Sequence, residues 1–346
     1  MRTSYRVTAA ALAAMTALSL TSCRSSKSSS AGDSGGTVKI MVGGIDKVIY
    51  LPAKLTEQLG YFKEQGLNVQ LLTEPAGAIA ENVLISGDVQ GVVGFYDHTI
   101  DLQTKGKCLE SVVQFADVPG EAEMVAADKA DKISSPSAFK GKKLGVTSPG
   151  SSTDFLTRAL AVKAGVQPSD YTTVKAGAGA TFIAALGNGG IDAGMTTDPT
   201  IAKLTTSGKA KVMLDMRTKE GTQKALGGLY PAASLYMDCN YVKSNPETVQ
   251  KLANAFVKTL GWVKAHKPDE IAAKMPADYA GGDPALYKKA IADSIGMFTA
   301  DGVMPAEGAK NVLEVLSQFS PNVKGKKDTI DLSKTYTTDF VTKAKQ

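Results

Sequence analysis

The chain has 346 residues, 43% hydrophobic and 21% charged, with a formal net charge of +5. That length suits two domains or one large one. The small positive excess lies on scattered lysines, with no basic run interleaved with aromatics, and this argues against a nucleic-acid binder.

Arg2 and Arg6 form a short positive start, followed by an uncharged, largely apolar run from Val7 to Leu20. Fourteen residues are too few to span a bilayer as a helix but match the apolar core of a signal peptide. The run ends in Leu20-Thr21-Ser22-Cys23, which resembles the lipobox of bacterial lipoproteins. That resemblance implies a signal peptide over 1–22, acylation of Cys23, and an extracytoplasmic protein anchored to the cell membrane. The alternative is an ordinary secretory peptide with an incidental cysteine. Residues 23–36 then hold the lipidated Cys and a Ser/Gly-rich tether whose reach is about 20 Å. Loss of Arg2 and Arg6 takes the net charge from +5 to +3. Two cysteines remain, Cys108 and Cys239, which an oxidising compartment lets pair or leaves as buried thiols.

From residue 37 short β-type runs alternate with amphipathic stretches. Residues 37–42 read as a strand, 51–59 as a helix, 67–72 as a strand, 79–85 as a helix and 90–95 as a strand. The pattern restarts with a strand at 143–147 and a helix at 153–164, and runs on to about 215. The last third reads as helices at 246–264, 268–274, 284–295 and 305–319, each opening at or just after a proline. Such β-α-β order predicts α/β lobes, each a mainly parallel sheet flanked by helices.

The chain also echoes itself. Residues 76–91 align without gaps on 178–193, matching at Ala76/Ala178, Gly77/Gly179, Ala78/Ala180, Leu84/Leu186 and Gly87/Gly189. Asp97-His-Thr-Ile100 then echoes Asp198-Pro-Thr-Ile201. A single repeat about a hundred residues apart suggests two related lobes rather than a solenoid. Ligands of open α/β sheets sit beyond the carboxyl ends of the strands, so two such lobes would hold a small molecule between them.

Residues 50–69, a helix ending in Gly60-Tyr61-Phe62 and then Gly66-Leu67 and a strand, resemble the opening of the nitrate/sulfonate/taurine-type solute-binding proteins of ABC importers. Phe139–Thr147 with Gly150-Ser-Ser-Thr153, Gly189–Ala193, Asp198-Pro199 and Asn245–Val249 resemble later landmarks of that family. The resemblance covers nearly all of 37–320 and implies a type II periplasmic-binding fold with two crossovers. Lobe 1 would comprise 37–135 plus 236–346 and lobe 2 136–235, with hinges near 135–140 and 230–236. It further implies a monomer that captures a small sulfonate-, nitrate- or taurine-like anion and delivers it to permease and ATPase subunits. A neutral heterocycle or aromatic carboxylate stays open as the ligand. The same family includes thiamine-pyrimidine synthases, which use a cysteine-rich metal motif absent from this sequence.

Candidate ligand-binding residues follow from the predicted carboxyl edges. Ser148, Gly150, Ser151, Ser152 and Thr153 lie between a strand and a helix N-terminus, where hydroxyls, free N–H groups and the helix dipole favour anionic oxygens. Asp46 and Tyr50 occupy the loop after the first strand. Gly77 opens a helix, and Phe95, Tyr96 and Asp97, like Thr197 and Asp198, end strands facing the cleft. His98 reads as a loop residue beside the site, His266 as a helix-terminal cation and Trp262 as core packing. With no nucleophile elbow, zinc-binding helix motif or phosphate loop, the sequence predicts binding without catalysis, metal or cofactor.

Overall fold

The computed structural model describes residues 36–344. The signal-peptide segment, Cys23 and all but the last residue of the tether lie outside the described residues. The described residues belong to one compact unit.

Among the described residues, ten strands make two five-stranded sheets. The first contains β1 (Thr37–Val42), β2 (Asn68–Thr73), β3 (Gly91–Phe95), β4 (Leu109–Gln114) and β10 (Ala233–Asp238), in the order β2-β1-β3-β10-β4. The second contains β5 (Glu121–Ala126), β6 (Lys143–Val146), β7 (Thr172–Lys175), β8 (Ala193–Thr197) and β9 (Ala210–Asp215), in the order β7-β6-β8-β5-β9. The two orders superimpose, and in each the fourth strand, β10 or β5, runs antiparallel to both neighbours. The sequence echo at a spacing of 102 therefore carries β3 onto β8, Gly91 onto Ala193.

Both faces of each sheet are covered, so its strands read as apolar runs rather than alternations. In β1, Ile40 and Val42 face one core while Met41 faces another with Ala80, Leu84 and Val92. In the second sheet Ala122, Met124 and Ala126 pack with Phe182 and Leu186, while Val125 faces Leu144 and Ala161. The predicted C-terminal helices are present as Pro246–Ala265, Pro268–Lys274, Pro284–Ser294 and Ala306–Phe319. The last crosses to the second lobe, where Phe319 meets Phe155 with ring centroids 6.0 Å apart.

The first crossing falls earlier than the boundary expected at 135, while the return overlaps the hinge expected at 230–236. β5 pairs with β8 and β9, so the first crossing falls between Gln114 and Glu121 and the return between Asp215 and Ala233. The crossings run side by side: Ala232 N donates to Ala116 O at 2.9 Å, and Gly120 N to Met216 O at 3.1 Å. Gly120 has φ +64°, and a Cβ there would lie 2.5 Å from Met297 Sδ and 2.6 Å from Ile49 Cδ1. Only glycine fits that position.

Cys108 and Cys239 form a disulfide joining the start of β4 to the residue after β10, with Cα atoms 5.5 Å apart. Trp262 is half-buried, packs against the main core as expected, and also stacks on His266 at 3.8 Å.

Candidate functional site

The carboxyl ends of the parallel strands of the two lobes meet at a cluster of buried polar side chains. The register explains which residues reach it. Glu121 pairs with Thr197 and Ala233 with Phe95, so each antiparallel strand begins level with the ends of its parallel neighbours. The sequence thus delivers Glu121 and Tyr230 to the same edges as Asp97, from positions far away along the chain.

Asp97 opens the helix Asp97–Gln103 directly after β3 and is fully buried. Its Oδ1 accepts from Ser152 Oγ at 2.8 Å and its Oδ2 from Tyr230 OH at 2.9 Å. Ser152 begins the helix Ser152–Lys163 of the other lobe, so this bond spans the lobes. Burial raises the Asp97 carboxyl above its usual range, against the lowering effects of His98, Ser152 and Tyr230.

His98 lies inside that helix, not in a loop, and is 1% exposed. Its Nδ1 is 2.8 Å from Glu81 Oε2 and 4.0 Å from Asp97 Oδ1. Burial alone would lower its pKa, but Glu81 and Asp97 hold it at about 9, so the imidazolium is the neutral-pH form. Gly77 makes room for this ring, since a Cβ there would stand 2.8 Å from His98 Nε2. Ser152 Oγ sits 3.4 Å from the same Nε2, giving a Ser-His-Glu alignment. It is not set for nucleophilic catalysis, because the histidine is already protonated and the serine hydroxyl donates to Asp97.

Lys47 is buried beside this cluster, whereas the expected Asp46 is exposed. Its ammonium donates to Gly43 O at 2.6 Å and Pro75 O at 2.9 Å. Burial lowers its pKa to about 8, opposed by Glu121 and Asp46. Tyr50 packs edge-on to Phe95 at 6.4 Å, and burial, with Glu121 and Asp97 nearby, raises its phenol well above the usual value. Glu121 is buried, its carboxyl pushed well up by desolvation against the pull of Lys47.

The other expected residues have different surroundings. Ser151 Oγ accepts from Ala78 N at 3.2 Å, a second contact between lobes. Thr153 bonds back to Thr147, and Gly150 N donates to Asp154 Oδ2. Ser148 reaches only Pro149 O. Tyr96 points away, its hydroxyl paired with Thr335. The Thr197 hydroxyl donates to Asp198 O, and Asp198 is tied to Arg217, Ser294 and Ala202 N, while its carbonyl accepts from Val48 N of the first lobe. Sequence reasoning passed over Lys47, Glu81, Glu121, Tyr230 and Tyr236. Among the described residues no group of three or more His, Cys, Asp or Glu is placed to hold a metal ion.

A solved protein from Bordetella bronchiseptica RB50 is similar at 36% identity and TM-score 0.84, over 88% of this chain and 96% of that one. The alkanesulfonate-binding protein SsuA from Xanthomonas axonopodis pv. citri, bound to MOPS, shares the periplasmic-binding-protein fold at 17% identity and TM-score 0.71, over 88% of this chain and all (100%) of that one. The 4-amino-5-hydroxymethyl-2-methylpyrimidine phosphate synthase THI13 of Saccharomyces cerevisiae is 28% identical over 229 residues, 62% of this chain and 64% of that protein. This chain therefore spans about 64% of the length of the curated relative. The family model described as NMT1/THI5 like matches residues 50–271, and the chain belongs to that family.

Proposed function

We propose that this protein is the extracytoplasmic solute-binding component of an ABC importer, held to the membrane through Cys23, which captures a small molecule between its lobes and passes it to permease and ATPase subunits. The observation carrying the reading is the buried polar cluster itself: Lys47, Asp97 and Tyr50 from one lobe and Ser152 and Glu121 from the other come together at the carboxyl edges of both sheets, where a solute of this fold would sit. Opening would break the Ser152–Asp97 and Ala78–Ser151 bonds, and closure would remake them around the solute.

The anion expected from the serine loop has less support. The Ser152 hydroxyl donates to Asp97, while Ser151 Oγ accepts from Ala78 N and keeps its own O–H, and the carboxyls of Asp97 and Glu121 are buried close by. A second reading, a pyrimidine-forming enzyme, is favoured by the name of the yeast relative. Mass spectrometry on protein purified without refolding separates these. A released small molecule, together with a melting temperature raised by adding it back, supports solute binding. Absence of a released molecule and of any shift across nitrate, sulfonates, carboxylates and pyrimidines would reject it.

A further inference from the structure

Glu121 stands where the first crossing enters β5, and much of its cover comes from the other lobe. It is 2% exposed, and its Oε2 makes no hydrogen bond. Lys47 and Tyr50 face it from the segment after β1, Asp97 from the helix after β3 and Tyr230 from the return crossing, with Glu123 two residues along its own strand. Lys47 directs two of its three N–H groups to Gly43 O and Pro75 O, and the Tyr230 hydroxyl donates to Asp97. An ionised Glu121 would be a buried charge with too few donors, and a proton removes that cost.

Opening the lobes would carry Lys47, Tyr50 and Asp97 away from β5 and let water reach the Glu121 carboxyl. We propose that lobe closure takes up a proton on Glu121, so that the closed form gains as pH falls and opening releases the proton. The coupling rests on the opening and closing motion proposed above. Glu123 is a bystander, fully buried within its own lobe beside Thr157. The Thr157 hydroxyl donates to Thr153 O, so it can only accept from Glu123, which suits a carboxyl protonated in both arrangements.

The sign follows from burial. Desolvation is the largest influence on Glu121 and raises it well above its ordinary 4.5, with Asp97 and Glu123 acting the same way against Lys47. Its contribution to closure is therefore fully present below pH 4.5 and is lost as pH rises through the raised value. Between the two, each pH unit changes the closed-to-open ratio by up to about tenfold. Asp97, also raised by burial, adds in the same sense. Lys47, lowered to about 8, acts oppositely but only from there up to 10.5. His98 keeps Glu81 and Asp97 beside it on its own lobe.

The test is small-angle scattering at pH 5, 6, 7 and 8 on wild type and Ser152→Ala, each with and without Glu121→Gln. Glu121→Gln replaces the neutral acid by a shape that cannot ionise, and Glu121→Leu serves in its place if that variant does not fold. The expected result is a radius of gyration that grows with pH in wild type or in Ser152→Ala, with the growth reduced or abolished when Glu121 is replaced. An equal pH response with and without Glu121, or no pH response in either background, overturns the inference. In that case a larger radius for Ser152→Ala at every pH leaves the opening motion standing. A radius unchanged in every sample removes both.

Discussion

Replacing Glu81 with Gln removes the carboxylate that keeps His98 charged. The imidazole is buried, with Nδ1 2.8 Å from Glu81 Oε2. A pKa held at about 9, against 6.5 ordinarily, means the folded state binds the proton more tightly than the unfolded chain. The pair's stabilisation is therefore fully present below pH 6.5 and is lost as pH rises through 9. It amounts to about 3 kcal/mol at pH 6 and about 1.4 kcal/mol at pH 8. Other buried groups titrate nearby. Glu121 and Glu123, both raised by desolvation, also lose stability as pH rises. Lys47, lowered to about 8, works the other way: its cost is present below pH 8 and is relieved toward 10.5. These contributions are common to wild type and variant, so the difference between the two isolates His98. Urea unfolding of wild type and Glu81→Gln at pH 6, 7 and 8 should show the gap shrinking by about 2 kcal/mol. A gap that stays flat across that range would refute the assigned ion pair.

Three further outcomes follow from features far apart in the fold. The Cys108→Ser/Cys239→Ser pair opens a cross-link spanning 131 residues, which by loop entropy should lower stability by up to about 5 kcal/mol; thermal unfolding that ignores reductant would contradict it. Gly120→Ala adds left-handed strain and a clash with Met297 and Ile49, expected to cost about 2–4 kcal/mol in denaturant titration, and a loss below about 1 kcal/mol would show that the crossing gives way easily. Ser152→Ala leaves buried Asp97 with one fewer donor across the lobes, a penalty of about 1–3 kcal/mol on closure. It should appear as a larger radius of gyration in small-angle scattering, and an unchanged radius counts against this contact holding the lobes together.

The parallel part of the fold was legible because β1, β2, β3 and β6 are short β-type runs, each followed by a helical stretch. The strands between residues 109 and 126 were not, because β5 carries Glu121 and Glu123 on a face that is buried. Two carboxylates at alternate positions look like a solvated face, and only the fold shows that one side of that strand is covered. The same residue concealed half the site. Asp97 and Ser152 could be found from their motifs, since each opens a helix after a strand. Glu121 and Tyr230 reach the site only through antiparallel strands whose pairing no local pattern announces. Lys47 was missed by one residue, because sequence cannot tell which of Asp46 and Lys47 turns inward.

The two crossings lie flat against each other and share hydrogen bonds at Ala116–Ala232 and Gly120–Met216. A paired ribbon bends readily across its width but resists shear and twist, since either would break those bonds. Movement between the lobes is then confined to a single opening angle, like a book on its spine. If the lobes open and close on a solute as proposed above, that one angle would bring Ser152 back to Asp97 on each closure.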